Sequence, residues 1–204
     1  MPLGGSITLG VGSEDRNGYR EMLLTMLTTN KYNVQMVGTR NTGSMAQSSH
    51  EGWRGCRIDE IEKKARRSVA KLQPNVFAIN AGSNDCLQDF ELGCAGNRMR
   101  GLLDYLWAIA PGSTMMLSTL VVNRDSQVDS RVRYLNQVYR KLVDEKAAEA
   151  KRIVLADMCP PEGPGYEDIG SDGTHPESAG YAKMSKIWYK AVEEAAGKGF
   201  FSPT

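Results

Sequence analysis

The chain has 204 residues, and its 25 Lys and Arg nearly balance its 24 Asp and Glu, which leaves a formal net charge of +1. This charge excludes the basic footprint of a nucleic-acid-binding protein, and no apolar run reaches the roughly 20 residues of a membrane span. We therefore expect a soluble single domain over residues 1–204 that acts as a monomer, with no nucleic-acid or membrane partner.

Short apolar runs alternate along the chain with amphipathic segments. After a first short strand at residues 1–4, the runs at 33–39, 75–80, 114–122 and 152–157 are too short for helices and lack strict alternation, which indicates strands buried on both faces. Apolar residues at helical spacing predict five helices, around residues 19–27, 58–72, 99–106, 132–142 and 181–192. Strands that alternate with helices predict an α/β fold, a three-layer α/β/α sandwich with about five parallel strands.

Polar residues with catalytic potential follow the predicted strands. Because the carboxyl ends of parallel strands lie at one edge of the sheet, the segments that follow them should meet there and form the functional site. These segments are 4–6, 48–55, 80–86 and 170–181, and they contain Ser, Gly, Asn, Asp and both His residues.

The glycine-rich start, "LGGSITLGVGS" at residues 3–13, does not match a phosphate-binding loop. Val11 stands where a P-loop requires Lys, and residues 13–15 break the G-x-G-x-x-G pattern of dinucleotide sites. A nucleophile fits better, because the Ser6 hydroxyl needs a base and His175 belongs to the same edge. Asp172, three residues before His175, is placed to orient the imidazole ring.

Candidate donors to a negatively charged oxygen come from three segments. They are the backbone N–H groups of Ser6 and Gly52 and the side-chain amide of Asn84, which together would hold the oxyanion of a tetrahedral intermediate. Asp85, next to Asn84, is an alternative acid, but its spacing to His175 is poorer, and we expect it to brace its own loop.

The blocks "GGSITLG", "HEGWRG", "NAGSND" and "DGTHPESAGY", in this order, resemble the SGNH hydrolase (GDSL esterase/lipase) superfamily over nearly the whole chain. The resemblance implies a flavodoxin-like sandwich with a five-stranded parallel sheet, and ester hydrolysis through an acyl-enzyme without a cofactor. It also implies that Ser6 is the nucleophile, His175 the base and Asp172 its partner, with Ser6, Gly52 and Asn84 as the oxyanion hole.

Within the superfamily the chain looks most like secreted microbial carbohydrate esterases of family 3, the acetylxylan-esterase type, with fungal members the most similar in character. This resemblance implies a serine esterase that removes acetyl groups from plant cell-wall polysaccharide such as acetylated xylan, or from small esters. The alternatives are a lipase or thioesterase for longer acyl chains and a catalytically impaired carbohydrate-binding protein. Gly5 favours the last alternative, because the family usually has Asp there.

Candidate substrate-binding residues flank these blocks. Trp53 and Arg54 follow Gly52 and either line a subsite or, for Trp53, anchor the loop on the core. Val122 and Asn123 follow the fourth strand and are expected to form another wall of the cleft. His50 is expected to be a loop histidine that hydrogen-bonds its neighbours rather than a substrate contact.

The four cysteines form no C-x-x-C pair, and with only two histidines no zinc site is expected. Cys86 and Cys94 are close in sequence, so we expect one disulfide between them, with four buried thiols as the alternative. That disulfide favours an extracellular protein, secreted by a leader that this chain does not show. A structural cation such as calcium, held by loop carbonyls, would leave no recognisable spacing.

Overall fold

The computed structural model describes residues 1–201 and contains one six-stranded sheet between two layers of helices. The strands are β1 (Pro2–Gly4), β2 (Arg40–Asn41), β3 (Ser49–Gly52), β4 (Val76–Asn80), β5 (Thr114–Ser118) and β6 (Ile153–Ala156), in the spatial order β2-β3-β1-β4-β5-β6. The helices are α1 (Ser6–Leu9), α2 (Arg20–Thr29), α3 (Ile58–Leu72), α4 (Ser83–Leu87), α5 (Leu92–Ile109), α6 (Ser126–Ala148) and α7 (Ser178–Gly197), with a 3₁₀ turn at Tyr166–Asp168.

Five of the strands, β3-β1-β4-β5-β6, pair in parallel, whereas the two-residue β2 pairs antiparallel with β3 at the edge. The predicted α/β/α sandwich with a five-stranded parallel sheet is therefore confirmed, with one short edge strand added. β1 has β3 on one side and β4 on the other. The strands that follow β1 are therefore added first on one side of it and then on the other. Such a switch point opens a crevice at the carboxyl ends of the strands.

Side chains from successive strand residues enter two separate cores. Phe77, Ile79 and Leu117 pack in the layer with α3, α5 and α6, whereas Ala78 and Met116 pack in the layer with α2 and α7. Both faces of the strands are thus covered, which explains why their sequences read as continuous apolar runs. No helix within residues 1–201 is long and apolar enough to cross a membrane.

The run at 33–39 is not a strand, and this prediction is wrong. Its polar backbone atoms pair with side chains instead of a neighbouring strand: the Met36 N–H donates to Gln47 Oε1 at 2.9 Å, and the Thr39 N–H donates to Glu51 Oε1 at 2.8 Å. Gly38 also lies so close to the backbone of His50 that a Cβ there would be 2.3 Å from the His50 carbonyl. The strand of this region is β3, within the segment assigned to a loop.

The expected disulfide between Cys86 and Cys94 is not present. All four cysteines lie in the described range and are free. Cys86 is buried in the core through α4, whereas Cys94 is exposed on α5, so the two side chains belong to different environments despite their short separation in sequence. The extracellular location gains no support from the cysteines and stays a prediction.

Candidate active site

Ser6, His175 and Asp172 lie in hydrogen-bond contact at the carboxyl edge of the sheet. Ser6 begins α1 directly after β1, and its Oγ is 2.7 Å from His175 Nε2. His175 Nδ1 is 2.6 Å from Asp172 Oδ2, while Asp172 Oδ1 accepts the backbone N–H groups of Thr174 and His175, both at 2.9 Å. The carboxylate thus holds the loop and the ring together. A proton on Nδ1, bonded to Asp172, leaves Nε2 as the acceptor for the Ser6 hydroxyl.

The charge on Asp172 is stabilised by its position. Burial by itself would raise the pKa of this carboxyl, but hydrogen bonds from the His175 backbone and ring and from the Thr174 backbone lower it to about 2. Asp172 is therefore ionised over the whole pH range in which an imidazole can act as a base. An ionised carboxylate on Nδ1 stabilises the imidazolium that forms when Nε2 takes a proton.

The turn that follows α1 brings Ser6 to a histidine 169 residues further along the chain. Gly12 in this turn has φ +96°, and a Cβ there would lie 2.4 Å from the Pro176 carbonyl oxygen and 3.1 Å from His175 Cβ. Only glycine allows this close approach. The glycine-rich start thus serves the packing of the nucleophile's turn against the loop of the base.

Two of the three predicted oxyanion donors have a hydrogen available. The Ser6 N–H, in the first turn of α1, has no acceptor among residues 1–201. Asn84 Nδ2 donates one hydrogen to the Cys56 carbonyl at 2.9 Å, and its second hydrogen remains. The amide nitrogen lies 3.3 Å from the position of a Cβ on Gly5, directly beside the nucleophile.

Gly52 does not fit the role predicted for it. Its N–H already donates to His50 Nδ1 at 2.8 Å, so it is not free to bind an oxyanion. Glycine is required there for another reason, since a Cβ would lie 2.5 Å from the backbone nitrogen of Leu9 in α1. The N–H groups of Arg54 and Gly55, in the turn after β3, have no acceptor within the described residues.

His50 hydrogen-bonds neighbouring residues as predicted, but it is buried on strand β3 rather than in a loop. Because Nδ1 accepts from Gly52, the proton is on Nε2, which donates to Thr42 Oγ1 at 2.6 Å, and Thr42 Oγ1 in turn donates to the Leu9 carbonyl at 3.2 Å. This chain of bonds links the end of β3 to the last turn of α1. Burial, together with the charges of Arg20 and Arg40, lowers the pKa of His50 to about 3, so the ring is neutral.

The other predicted site residues divide between structural roles and the surface. Asp85 is buried and accepts from Arg98 Nη2 at 2.9 Å and from the Ile58 N–H at 3.1 Å, so it braces α3 and α4 rather than His175. Asn123 Nδ2 donates to Thr174 Oγ1 at 3.1 Å, which ties the loop after β5 to the loop of the base. Val122, half-buried, packs on the α2 and α7 core.

Trp53 is anchored, and Arg54 is exposed. The Trp53 Nε1–H donates to Glu51 Oε2 at 2.9 Å, and the side chains of Arg40 and Lys64 lie over the indole ring. Sequence reasoning did not single out Glu51, Arg40 or Lys64, although Glu51 lies inside the "HEGWRG" block. Within residues 1–201 no three His, Cys, Asp or Glu side chains gather as a metal site requires.

Known proteins are similar to this chain in sequence and in fold. The chain is 25% identical over 222 residues to a multidomain esterase of Ruminococcus flavefaciens, which covers 95% of this chain and 28% of that protein. It is 26% identical over 133 residues to a putative endoglucanase X of Acetivibrio thermocellus, which covers 65% of this chain and 56% of that protein. The chain thus spans about a quarter and about half of the lengths of these two relatives.

Among solved structures, a family 3 carbohydrate esterase of Clostridium thermocellum superposes with a TM-score of 0.86 at 25% identity, covering 97% of this chain and 96% of that one. A family 3 carbohydrate esterase of Talaromyces cellulolyticus superposes with a TM-score of 0.83 at 19% identity, covering 97% of both chains. The family model described as GDSL-like Lipase/Acylhydrolase matches residues 3–183, a range that includes Ser6, Asn84, Asp172 and His175. By this match over most of its length, the chain belongs to the GDSL-like lipase/acylhydrolase family.

Proposed function

We propose that this chain is a serine esterase that releases acetyl and other short acyl groups, with acetylated plant cell-wall polysaccharide such as xylan as its substrate class. The observation that carries the proposal is the unbroken line of hydrogen bonds from Ser6 Oγ through His175 to Asp172. Similarity to the family 3 carbohydrate esterase of Clostridium thermocellum, at 25% identity over nearly the whole chain, supports a carbohydrate ester as the substrate.

In the proposed reaction, Ser6 Oγ attacks the ester carbonyl carbon while His175 Nε2 takes the hydroxyl proton. The carbonyl oxygen becomes negative and accepts from the Ser6 N–H and the free hydrogen of Asn84 Nδ2. His175 then gives its proton to the leaving sugar oxygen, which leaves acetyl on Ser6. A water molecule, deprotonated by the same ring, attacks the acyl carbon, and His175 returns that proton to Ser6 Oγ as the bond to the acyl group breaks and acetate leaves.

The chain supplies every proton transfer and charge contact of this scheme from its own residues, so we propose that no cofactor takes part. Asn123 is a positioning residue in the scheme, because its bond to Thr174 holds the loop that carries Asp172 and His175. Substitution of Gly for the family's usual Asp at position 5 leaves Asn84 without a neighbouring carboxylate on that side.

The test measures acetate released from acetylated xylan, and p-nitrophenol released from p-nitrophenyl acetate, by the wild-type protein, Ser6→Ala and Asn84→Ala. We expect Ser6→Ala to lower kcat by at least about 10⁴-fold and Asn84→Ala by about 10²–10³-fold. Equal thermal unfolding of the variants shows that the fold is intact. Wild-type rates in Ser6→Ala would overturn the proposal, and faster cleavage of octanoate than of acetate esters would favour a lipase or thioesterase.

A further inference from the structure

A group of cationic side chains surrounds Trp53 at the carboxyl end of β3. The Arg40 guanidinium carbon lies 4.4 Å from the centroid of the indole ring, and Lys64 Nζ lies 4.5 Å from it. Arg54, exposed, follows Trp53 directly in the turn. We call Arg40, Arg54 and Lys64 the cationic rim.

None of the three rim side chains has a carboxylate within 4.0 Å among the described residues, although other cations on α3 do. Arg57, Lys63 and Arg66 each pair with an acidic neighbour on the same helix or its cap. The buried carboxylate of Glu51 also contacts the indole, but it accepts from Trp53 Nε1 and from the N–H and Oγ1 of Thr39 and forms no ion pair with a rim cation. The rim therefore concentrates positive charge in a chain whose formal net charge is only +1.

One rim residue also has an unused hydrogen-bond donor. Arg40 Nε is buried and has no acceptor within residues 1–201, while the residue as a whole is half-buried. Because this Nε is buried, it is not open to a substrate, and Arg40 contributes only its positive charge to the rim.

The rim borders the nucleophile. The Trp53 N–H donates to the Gly4 carbonyl at 2.8 Å, and the Trp53 carbonyl oxygen lies 3.9 Å from the position of a Cβ on Gly5. The turn continues to Cys56, whose carbonyl accepts from Asn84. The turn that carries Trp53 and Arg54 therefore lies beside the nucleophile, and a sugar unit next to the acetylated one is the part of a polymeric substrate that would meet it.

The indole ring itself is a poor platform for a neutral sugar. A sugar ring stacks only on an open aromatic face. The side chains of Arg40 and Lys64 lie over the indole ring and occupy the space that a pyranose would need. The rim thus offers charge rather than an aromatic surface to the substrate.

We propose that the cationic rim binds the carboxylate of a uronic-acid unit close to the acetylated sugar, so that the enzyme prefers acidic acetylated polysaccharides over neutral ones. This inference rests on the esterase function proposed above. Exposed charge pairs contribute little each, but two or more acting on one carboxylate give a preference of about fivefold or more at low ionic strength.

The experiment compares acetate release from acetylated glucuronoxylan with release from the same polymer after its carboxyl groups have been reduced to alcohols. The readout is the ratio of the two kcat/KM values within each protein, which cancels any general loss of activity. We expect a ratio of about five or more for the wild type, falling to about one in Arg54→Gln/Lys64→Gln. High salt should lower the wild-type ratio as well.

A matched control removes the same amount of charge from two exposed positions outside the rim. Arg67 and Lys71 are exposed on α3 and form no ion pair within the described residues, so Arg67→Gln/Lys71→Gln should keep the wild-type ratio. A rim variant that retains the preference, or a wild type with a ratio of one, overturns the inference.

Two further measurements separate this failure from failure of the esterase proposal. Hydrolysis of p-nitrophenyl acetate by the wild type tests the esterase function without any carboxylate in the substrate. Calorimetric binding of a glucuronic-acid-substituted xylo-oligosaccharide to Ser6→Ala, with and without the two rim substitutions, tests the rim without catalysis. Equal affinity in these two proteins contradicts the inference whatever the activity is.

Discussion

Replacement of His50 by Gln should change how the stability of this protein depends on pH. In the folded protein the ring is buried, and Nδ1 faces the Gly52 N–H at 2.8 Å. A proton on Nδ1 would make the ring N–H face the Gly52 N–H, and two donors repel each other. Burial and the charges of Arg20 and Arg40 lower the pKa of His50 to about 3. The unfolded chain has no such constraint and binds a proton with the ordinary pKa of 6.5.

The magnitude follows from this difference in pKa. Between the two values the unfolded chain holds one proton that the folded protein does not, so the free energy of unfolding falls as the pH falls. The slope of the free energy of unfolding against pH approaches about 1.4 kcal/mol per pH unit. The loss amounts to about 2.5 kcal/mol between about pH 7 and about pH 4.5. The stability of His50→Gln should not fall in this way on acidification, because Gln does not titrate. At neutral pH the variant should be about 1–3 kcal/mol less stable than the wild type, because it lacks the hydrogen bonds of His50.

The assay is urea denaturation of both proteins over this pH range at constant ionic strength. Other titrating groups are common to both proteins and cancel in the difference, so the stability of the wild type relative to His50→Gln should fall by about 2.5 kcal/mol on acidification. Thr42→Val is the matched control, because it removes the partner of Nε2 but leaves the ionisable ring. The difference in stability between the wild type and Thr42→Val should stay nearly constant over the pH range. If the curves of the wild type and His50→Gln remain parallel, the reasoning is refuted.

Two glycines give further predictions. Gly5→Asp should raise kcat for p-nitrophenyl acetate by about 3- to 10-fold, because a side chain fits there with only Asn84 Nδ2 close, at 3.3 Å from Cβ, and a carboxylate would fix that amide. Gly5→Ala adds the Cβ without the charge, and an equal gain in both variants would contradict this reason. Gly52→Ala should lower the free energy of unfolding in urea by about 2 kcal/mol or more, since the new Cβ would lie 2.5 Å from the Leu9 nitrogen. An alanine variant as stable as the wild type would show that α1 can move away from β3.

Gly52 and Asn84 were predicted as oxyanion donors on the same grounds, but the structure leaves a hydrogen available on Asn84 and none on Gly52. Both lie at the carboxyl edge, and both carry an N–H of the right kind. Asn84 has two amide hydrogens and uses one on Cys56, whereas Gly52 has a single N–H and uses it on His50. Hydrogen-bond capacity is a property of the residue type, but its use depends on contacts that the sequence does not display.

The sequence by itself determined the layers of the fold and the three residues of the Ser6–His175–Asp172 line. Apolar periodicity is a local consequence of burial, so the helices from 58–72 and 181–192 and the strands at 75–80 and 152–157 were predictable from pattern alone. Asp172 and His175 share one turn, and their contact needs only the chain between them. The parallel sheet then fixes the edge at which Ser6 must meet them.

Only the tertiary structure decided the features that depend on contacts between distant segments. The run at 33–39 is apolar enough for a strand, but the side chains of Gln47 and Glu51 take its backbone donors. Cys86 and Cys94 are near in sequence, yet one faces the core and the other is exposed. The free energy of such contacts depends on which groups lie within bonding distance in the folded chain. Spacing along the sequence does not determine that distance.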